Sequence, residues 1–147
     1  MLTYFEDYRV GSEHITPART VTDADVRAFA ALTGDHHPLH LDDSYARGTI
    51  FGARISHGLL GLSLVNGLAY GSIIDETYVM AFLAIEWAFA GPIRLGDTLH
   101  ARIHIAESRP TSKPDRGIVR QAIQLINQRA EIVQQGDFTF MIRRRPA

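Results

Sequence analysis

The hydrophobic pattern of the chain changes its period near residue 70. Before that point, apolar residues recur every three or four positions, first around Val26, Phe29 and Ala30 and then through the long apolar segment 57–70. This spacing predicts two helices. The second segment is apolar on every side, which is typical of a helix that lies buried inside a domain.

Polar residues predict where the helical segments begin and end. Thr22 is a suitable N-cap for the first helix, with Asp25 as the acidic partner of a capping box. Gly34 is a suitable residue to end that helix. Asp42 is predicted to cap a short helical turn over residues 45–47.

From residue 78 onward the pattern predicts antiparallel strands. Residues 78–89 are rich in aromatic and β-branched side chains, and residues 99–106 alternate between apolar and polar. The pattern also predicts strands at 118–126 and 131–143, a short early strand at 14–19 and a mobile loop at 108–116. A sheet wrapped around one central helix accounts for both periods, so the sequence predicts an α+β fold.

Length and composition predict one globular domain over residues 1–147. The chain is 46% hydrophobic and 21% charged, and its formal net charge is -1. A charge so close to zero gives no attraction to nucleic acid or to an anionic membrane surface, and we expect neither partner. The chain has no cysteine, which excludes disulfides, thiolate metal ligands and a cysteine nucleophile.

Two features of the chain bear on its location in the cell. The apolar segment 58–74 is short for a membrane span and lacks basic flanks. The first ten residues, MLTYFEDYRV, lack the basic and apolar regions of a secretory signal. We therefore expect a cytoplasmic protein.

The segment 33–40, TGDHHPLH, carries the most informative chemistry. Asp35 and His40 stand five residues apart on either side of Pro38, directly after the predicted end of the first helix. A carboxylate and an imidazole held by one short loop can share a water molecule and move protons to and from it at neutral pH. Taken singly, Asp35 is equally compatible with an ordinary turn residue.

A second motif, Ser56-His57-Gly58, opens the long apolar helix. Backbone N–H groups at a helix start stabilise negative charge, so Gly58 is a candidate donor to an oxyanion. Ser56 is predicted to be the N-cap, and His57 to be hydrogen-bonded near the helix start. Together the two motifs indicate an enzyme that adds water to, or removes it from, an activated carbonyl compound.

These motifs resemble those of the MaoC-like hydratases and dehydratases, a family that includes the (R)-specific enoyl-CoA hydratases. The matching residues are Thr33-Gly34-Asp35, Pro38-Leu39-His40, Asp42, Tyr45-Ala46, Phe51-Gly52 and Ile55-Ser56-His57-Gly58-Leu59-Leu60. Weaker similarity covers nearly the whole chain. The resemblance implies the hotdog fold, an antiparallel sheet wrapped around a long central helix. It also implies that two such domains pair, giving a homodimer or a higher oligomer built from dimers.

The resemblance also implies roles for particular residues. The family's catalytic aspartate falls on Asp35, its catalytic histidine on His40 and its oxyanion-hole glycine on Gly58. The implied activity is that of an enoyl-CoA hydratase or 3-hydroxyacyl-CoA dehydratase. Its substrate is an acyl group carried by coenzyme A or by acyl carrier protein. No metal or other cofactor is required for this chemistry.

Two positions depart from the family pattern. His37 stands where Asn is usual before the proline, and Asn66 stands on the central helix where Ser is common in the (R)-hydratases. Each departure is expected to alter how the loop is braced or which acyl group fits. His37 and Asn66, together with Ser56 and His57, are the candidate substrate-binding residues.

Alternative functions stay open at this point. A hotdog thioesterase would hydrolyse the acyl-CoA, but such enzymes commonly use an acid on or beside the central helix, and none lies between residues 55 and 74. A non-catalytic acyl-CoA binding module has no need of an acid–base pair. The run His36, His37 and His40 invites a zinc-site interpretation. Adjacent histidines point in divergent directions and no second ligand cluster is evident, so no metal site is predicted.

Overall fold

The computed structural model describes residues 1–146, which form six strands and four α-helices. The strands are β1 (Glu13–Ile15), β2 (Arg19–Thr20), β3 (Val79–Phe89), β4 (Thr98–Pro110), β5 (Arg116–Ile126) and β6 (Ile132–Arg143). The helices are α1 (Asp23–Thr33), α2 (Pro38–Leu41), α3 (Asp43–Arg47) and α4 (Gly58–Ala69). Short 3-10 turns lie at Phe5–Asp7 and Glu76–Tyr78.

The strands form an antiparallel sheet that packs against α4. The strand order is β1-β4-β5-β6-β3, and β2 pairs with β4. Alternate side chains of the long strands, such as Ile103 and Val119, form the core together with Leu60 and Val65 of α4. Burial of such apolar surface stabilises the fold by about 25 cal/mol per Å2. The predicted α+β class, with antiparallel strands gathered around one long helix, is confirmed.

The predicted helix boundaries are formed by the residues that the sequence indicates. The Thr22 side chain accepts the Asp25 N–H and the Asp25 carboxylate accepts the Thr22 N–H, which completes the capping box of α1. Gly34 ends α1 with a φ of 78°, a left-handed conformation that glycine adopts without strain. The Asp42 side chain caps α3 by accepting the Tyr45 N–H at 3.0 Å.

Two predictions near the ends of the sheet are wrong in extent. The predicted strand at 14–19 is divided into β1 and β2, which are separated at Pro17. Proline has no N–H to donate to a strand ladder. The predicted loop at 108–116 is shorter, because β4 and β5 extend into it and only residues 111–115 connect them.

Helix α4 is buried on one side only, which corrects the expectation from its composition. Leu60 and Val65 are buried, whereas Leu59 is 57% exposed. Ser63 and Gly67, one and two turns beyond Leu59, are exposed as well. Because these positions recur every fourth residue, they form one open stripe along the helix. None of the helices within residues 1–146 combines the length and the apolar character needed to cross a bilayer.

Candidate active site

Helix α2 positions His40. The sequence predicts a loop here, but residues 38–41 form one helical turn, which corrects that expectation. Pro38 occupies the first helical position, where the missing N–H costs nothing. Nδ1 of His37 accepts the Leu39 N–H at 3.1 Å, so an imidazole caps α2 as an Asn side chain would. The departure from the family pattern at His37 therefore keeps the loop braced.

Asp35, His40 and His57 converge from the end of α1, from α2 and from the start of α4. One oxygen or nitrogen atom of each side chain lies within 4.8 Å of the others. Two polar atoms that bind one water at about 2.8 Å each can be up to ~5.6 Å apart. The carboxylate and an imidazole are therefore close enough for one water to bridge them. The Asp35 carboxylate also accepts the His37 N–H at 3.3 Å.

Hydrogen bonding determines which nitrogen of His40 can act as a base. Its Nδ1 lies 2.8 Å from the carbonyl oxygen of Ile55. Because a carbonyl oxygen only accepts, Nδ1 carries the proton and Nε2 keeps its lone pair. Burial lowers the pKa of His40 below its ordinary value, although the Ile55 hydrogen bond and the Asp35 carboxylate act in the opposite direction. The ring is therefore neutral at neutral pH and ready to accept a proton.

His57 lies behind this pair and contacts both of its members. The side chain is only 2% exposed. Its Nε2 donates to the Asp35 backbone carbonyl at 3.0 Å, and its ring packs on the His40 ring with 3.9 Å between centroids. Nδ1 of His57 is buried and has no hydrogen-bond partner among residues 1–146. These contacts fix the relative positions of Asp35 and His40.

Helix α4 begins at Gly58 without a side-chain cap. The prediction that Ser56 is the N-cap is wrong, because His57 holds that position and the Ser56 hydroxyl donates to the His57 carbonyl at 3.2 Å. No hydrogen bond within residues 1–146 uses the N–H of Gly58 or of Leu59. Free donors at a helix start are suited to stabilise a developing negative charge.

A cavity of about 730 Å3 joins His40 to the start of α4. Gly58 and Ser56 line it near the helix start, and Gln134 lines it from β6. The rest of its wall is mainly apolar and includes Phe51, Ile55, Leu59, Phe89, Pro92 and Ile93. An apolar wall with a few convergent polar groups is typical of a small-molecule site.

The predicted substrate-binding residues are placed in three different ways. Ser56 lines the cavity. His37 and His57 lie outside its wall and hydrogen-bond to Asp35 instead. Asn66 lies on α4 about 12 Å along the helix axis from its first residue, and it does not line the cavity. The structure therefore does not bring Asn66 to Asp35 and His40.

Phe89 explains why residue 58 is a glycine. A Cβ atom at Gly58 would lie 2.8 Å from the Phe89 ring, well inside van der Waals contact. The structure shows that an aromatic side chain of β3 already packs there.

A buried glutamine ties the start of α4 to the sheet. Nε2 of Gln134 donates to the Gly58 carbonyl at 2.9 Å, and Oε1 of Gln134 accepts the indole N–H of Trp87 at 3.0 Å. Neither Gln134 nor Trp87 is among the site residues predicted from the sequence. The available signal is the polar pair Gln134-Gln135, which interrupts an apolar strand pattern.

The same three side chains are also the ones that could hold a metal ion. Asp35, His40 and His57 offer a carboxylate and two imidazoles, both common ligands of divalent cations. The two rings lie face to face at 3.9 Å between centroids with a tilt of 30°, so their free nitrogens are poorly directed at one ion. Ligands of one ion must converge on it at about 2.0–2.1 Å. The arrangement fits a neutral imidazole beside a carboxylate, with free backbone N–H groups nearby, better than it fits a metal site.

The family model described as the MaoC like domain matches residues 8–124. The chain belongs to the MaoC-like family. Membership places it among enzymes of the hydro-lyase type and confirms the resemblance carried by the two motifs.

MaoC-like relatives match most of the chain. A 3-hydroxybutyryl-CoA dehydratase of Methylorubrum extorquens is 33% identical over 113 residues, which cover 77% of this chain and 70% of the relative. An (R)-specific enoyl-CoA hydratase of Rhodospirillum rubrum is 29% identical over 113 residues, covering 77% and 76% of the two chains. The crystal structure of a MaoC-like dehydratase from Rhodospirillum rubrum superposes with a TM-score of 0.89 at 29% identity, covering 98% of this chain and 99% of that one.

Proposed function

We propose that this MaoC-like protein adds water to the double bond of an α,β-unsaturated acyl thioester and catalyses the reverse dehydration. One observation carries the proposal. His40, which clusters with Asp35, lines a largely apolar cavity that also reaches the uncapped start of α4. Relatives named as a 3-hydroxybutyryl-CoA dehydratase and an enoyl-CoA hydratase support a coenzyme A thioester as substrate.

In the proposed addition, Asp35 and His40 act on one water. Nε2 of His40 accepts a proton from the water as its oxygen bonds to the β-carbon, while the Asp35 carboxylate orients the same water. The pair then returns that proton to the α-carbon, so hydrogen and hydroxyl are both added and the enzyme regains its starting state. Dehydration follows the same steps in reverse.

Negative charge collects on the thioester oxygen while the new bond forms. The free N–H groups of Gly58 and Leu59 are the donors placed to receive it. One such donor contributes about 2.7–4 kcal/mol to lowering the barrier in comparable sites. Because protons and hydrogen bonds account for every step, the proposed reaction requires no metal, flavin or nicotinamide.

The active form is proposed to contain two chains. β3 is an edge strand, and it exposes large apolar side chains along its length: Met80, Phe82, Leu83, Ile85 and Phe89. An exposed apolar edge strand is a ready template for pairing with another chain. Phe89 and Leu59 are exposed and also line the cavity, so a second chain placed here would complete the cavity wall.

Two substitutions test the proposed function directly. Asp35→Asn and His40→Ala should each lower the hydration rate of crotonyl-CoA, or of a longer enoyl-CoA, by about 10²–10⁴-fold, because each removes half of the proton-transfer machinery. The rate is followed by loss of the conjugated-enoyl absorbance. His36→Ala is the matched control, since His36 lies in the same segment but outside the cluster.

The outcomes separate this function from its alternatives. Full activity in either Asp35→Asn or His40→Ala would refute the assignment. Release of free thiol from acyl-CoA by the wild-type protein would favour a thioesterase. Tight acyl-CoA binding without turnover across substrates of different length and polarity would favour a binding module.

A further inference from the structure

We propose that Gln134 is a positioning residue for the thioester-oxygen site, acting through the first peptide group of α4. This inference rests on the proposed function. The carboxamide of Gln134 stands between Trp87 on β3 and the Gly58 carbonyl on α4. It thereby joins the sheet to the peptide group whose other end is the Leu59 N–H.

The Trp87 indole, the Gln134 carboxamide and the Gly58 carbonyl form a chain of two hydrogen bonds, in which each donor points toward α4. The Trp87 indole N–H donates to Oε1 of Gln134 at 3.0 Å, and Nε2 of Gln134 donates to the Gly58 carbonyl at 2.9 Å. Successive hydrogen bonds of this kind polarise one another. A carbonyl that accepts an added bond withdraws electrons from its own amide, so the Leu59 N–H becomes a stronger donor.

The surroundings hold the Gln134 carboxamide in place. The residue is 1% exposed, so its polar atoms are costly to leave without partners. A Cβ atom at Gly61 would lie 2.5 Å from Nε2 of Gln134, so the helix approaches the carboxamide only because residue 61 is a glycine. Gln134 also lines the cavity beside Gly58. The Gln134 side chain therefore fills the space between α4 and the sheet and is held there by packing and hydrogen bonds.

The test compares Gln134→Met with a matched control on the same strand. Methionine has a similar length but cannot donate to the Gly58 carbonyl. Gln135→Met makes the same chemical change at an exposed neighbour that lies in a different, polar groove. We expect Gln134→Met to lower kcat by about 10–100-fold with KM changed by less than ~3-fold, as for a loss confined to the transition state. Gln135→Met should keep the wild-type kcat.

Trp87→Phe keeps Gln134 and removes only its outer donor. We expect a smaller loss of about 3–10-fold in kcat, since the Gln134 carboxamide stays but is less polarised and less well fixed. The double variant should be no slower than Gln134→Met alone, because Trp87 acts through Gln134. If Gln134→Met does not fold, Trp87→Phe still decides the question by its kcat and its spectrum.

A spectroscopic measurement distinguishes positioning from general stability. In the Asp35→Asn background, bound 2,4-hexadienoyl-CoA should absorb at longer wavelength than the free thioester, because hydrogen bonds at the carbonyl polarise its conjugated system. Gln134→Met and Trp87→Phe should reduce this shift in the same order as they reduce kcat.

Three results would overturn the inference: an unchanged kcat in Gln134→Met, a reduced kcat with an unchanged spectral shift, or additive losses in the double variant. These failures are distinct from failure of the proposed function. If the proposed function fails, either the wild type does not hydrate enoyl-CoA or the Asp35→Asn and His40→Ala variants remain fully active.

Discussion

The Nδ1–H of His40 donates to the Ile55 carbonyl, and this bond leaves the other ring nitrogen free to accept a proton. The partner comes from the segment leading into α4, so nothing within residues 33–40 indicates it. Asp35, His40 and Gly58 are predicted as site residues because their residue types and spacing match the chemistry and the family, and the structure places His40 and Gly58 on one cavity. The supporting contacts of His57 and Gln134 are not predictable, since they depend on packing between elements distant in sequence.

The pH dependence of activity follows from the environment of His40. Burial lowers the pKa of His40, and the ring must be neutral to act as a base. We therefore expect kcat/KM to fall on the acid side with a midpoint below the ordinary histidine value of ~6.5. The measurement is kcat/KM for enoyl-CoA hydration between about pH 4.5 and 8. An acid midpoint clearly above ~6.5 would contradict the assignment of His40 as the base.

The lowered pKa of His40 also makes the free energy of unfolding depend on pH. Because the pKa of His40 is lower in the folded chain, the unfolded chain binds more protons below about pH 6.5. The contribution of His40 to stability is therefore present above that pH and is lost as the pH falls through the folded-state value. Comparing urea unfolding of wild type and His40→Ala across this range isolates the effect.

Chelation tests whether the three-residue cluster is used as a metal site. We expect dialysis against EDTA, followed by assay in metal-free buffer, to leave the hydration rate unchanged, because the proposed steps use only proton transfer and hydrogen bonds. Adding Zn²⁺ should not raise the rate. A loss of activity that Zn²⁺ restores would show that Asp35, His40 and His57 hold an ion.

At the scale of elements, hydrophobic period and capping residues predict α1, α3, α4 and the four long strands, because each of these has a local signal. Helix α2 is missed, since four residues are too few to show a period. Its signals are Pro38 at the first position and the ring of His37 as cap. A histidine cap is not expected from propensity, because Ser, Thr, Asp and Asn dominate such positions.

The cap of α2 can be tested by two substitutions. His37→Ala should destabilise the fold by about 1 kcal/mol, as for loss of an N-cap. It should also lower kcat, because His40 belongs to the helical turn that His37 caps. His37→Asn should preserve both properties, since its amide oxygen can accept the Leu39 N–H. Thermal unfolding and kcat of the two variants provide the measurement. Equal losses in both would show that His37 does more than cap.

At the scale of the whole molecule, the sheet and the central helix are predictable because buried apolar positions specify them. The open face of α4 and the apolar edge of β3 are not predictable from periodicity. An apolar pattern indicates that a surface is buried, but it does not show whether the same chain or a second chain buries it. That distinction appears only when Leu59 and Ile85 are found exposed in the folded chain.

Pairing through β3 is tested by Ile85→Lys, which places a charge on the edge strand where Ile85 is 47% exposed. We expect the dissociation constant of the dimer to rise by about 30-fold or more, as for loss of a central apolar contact. Hydration activity should fall as the dimers dissociate. Sedimentation velocity over a dilution series gives the measurement. Ile15→Lys is the matched control, since Ile15 is 59% exposed on β1 at the opposite edge. A wild-type chain that sediments as a monomer at all concentrations would contradict pairing.

The edge of β3 also has a consequence for newly made protein. A chain just released from the ribosome would present unpaired backbone groups next to aromatic side chains, the combination that recruits unrelated strands and leads to aggregates. Rapid pairing with a second copy of the chain would cover this edge and prevent such aggregation. The yield of folded protein during overexpression should therefore depend on how quickly two copies meet. Slow synthesis at low concentration would favour capture by chaperones.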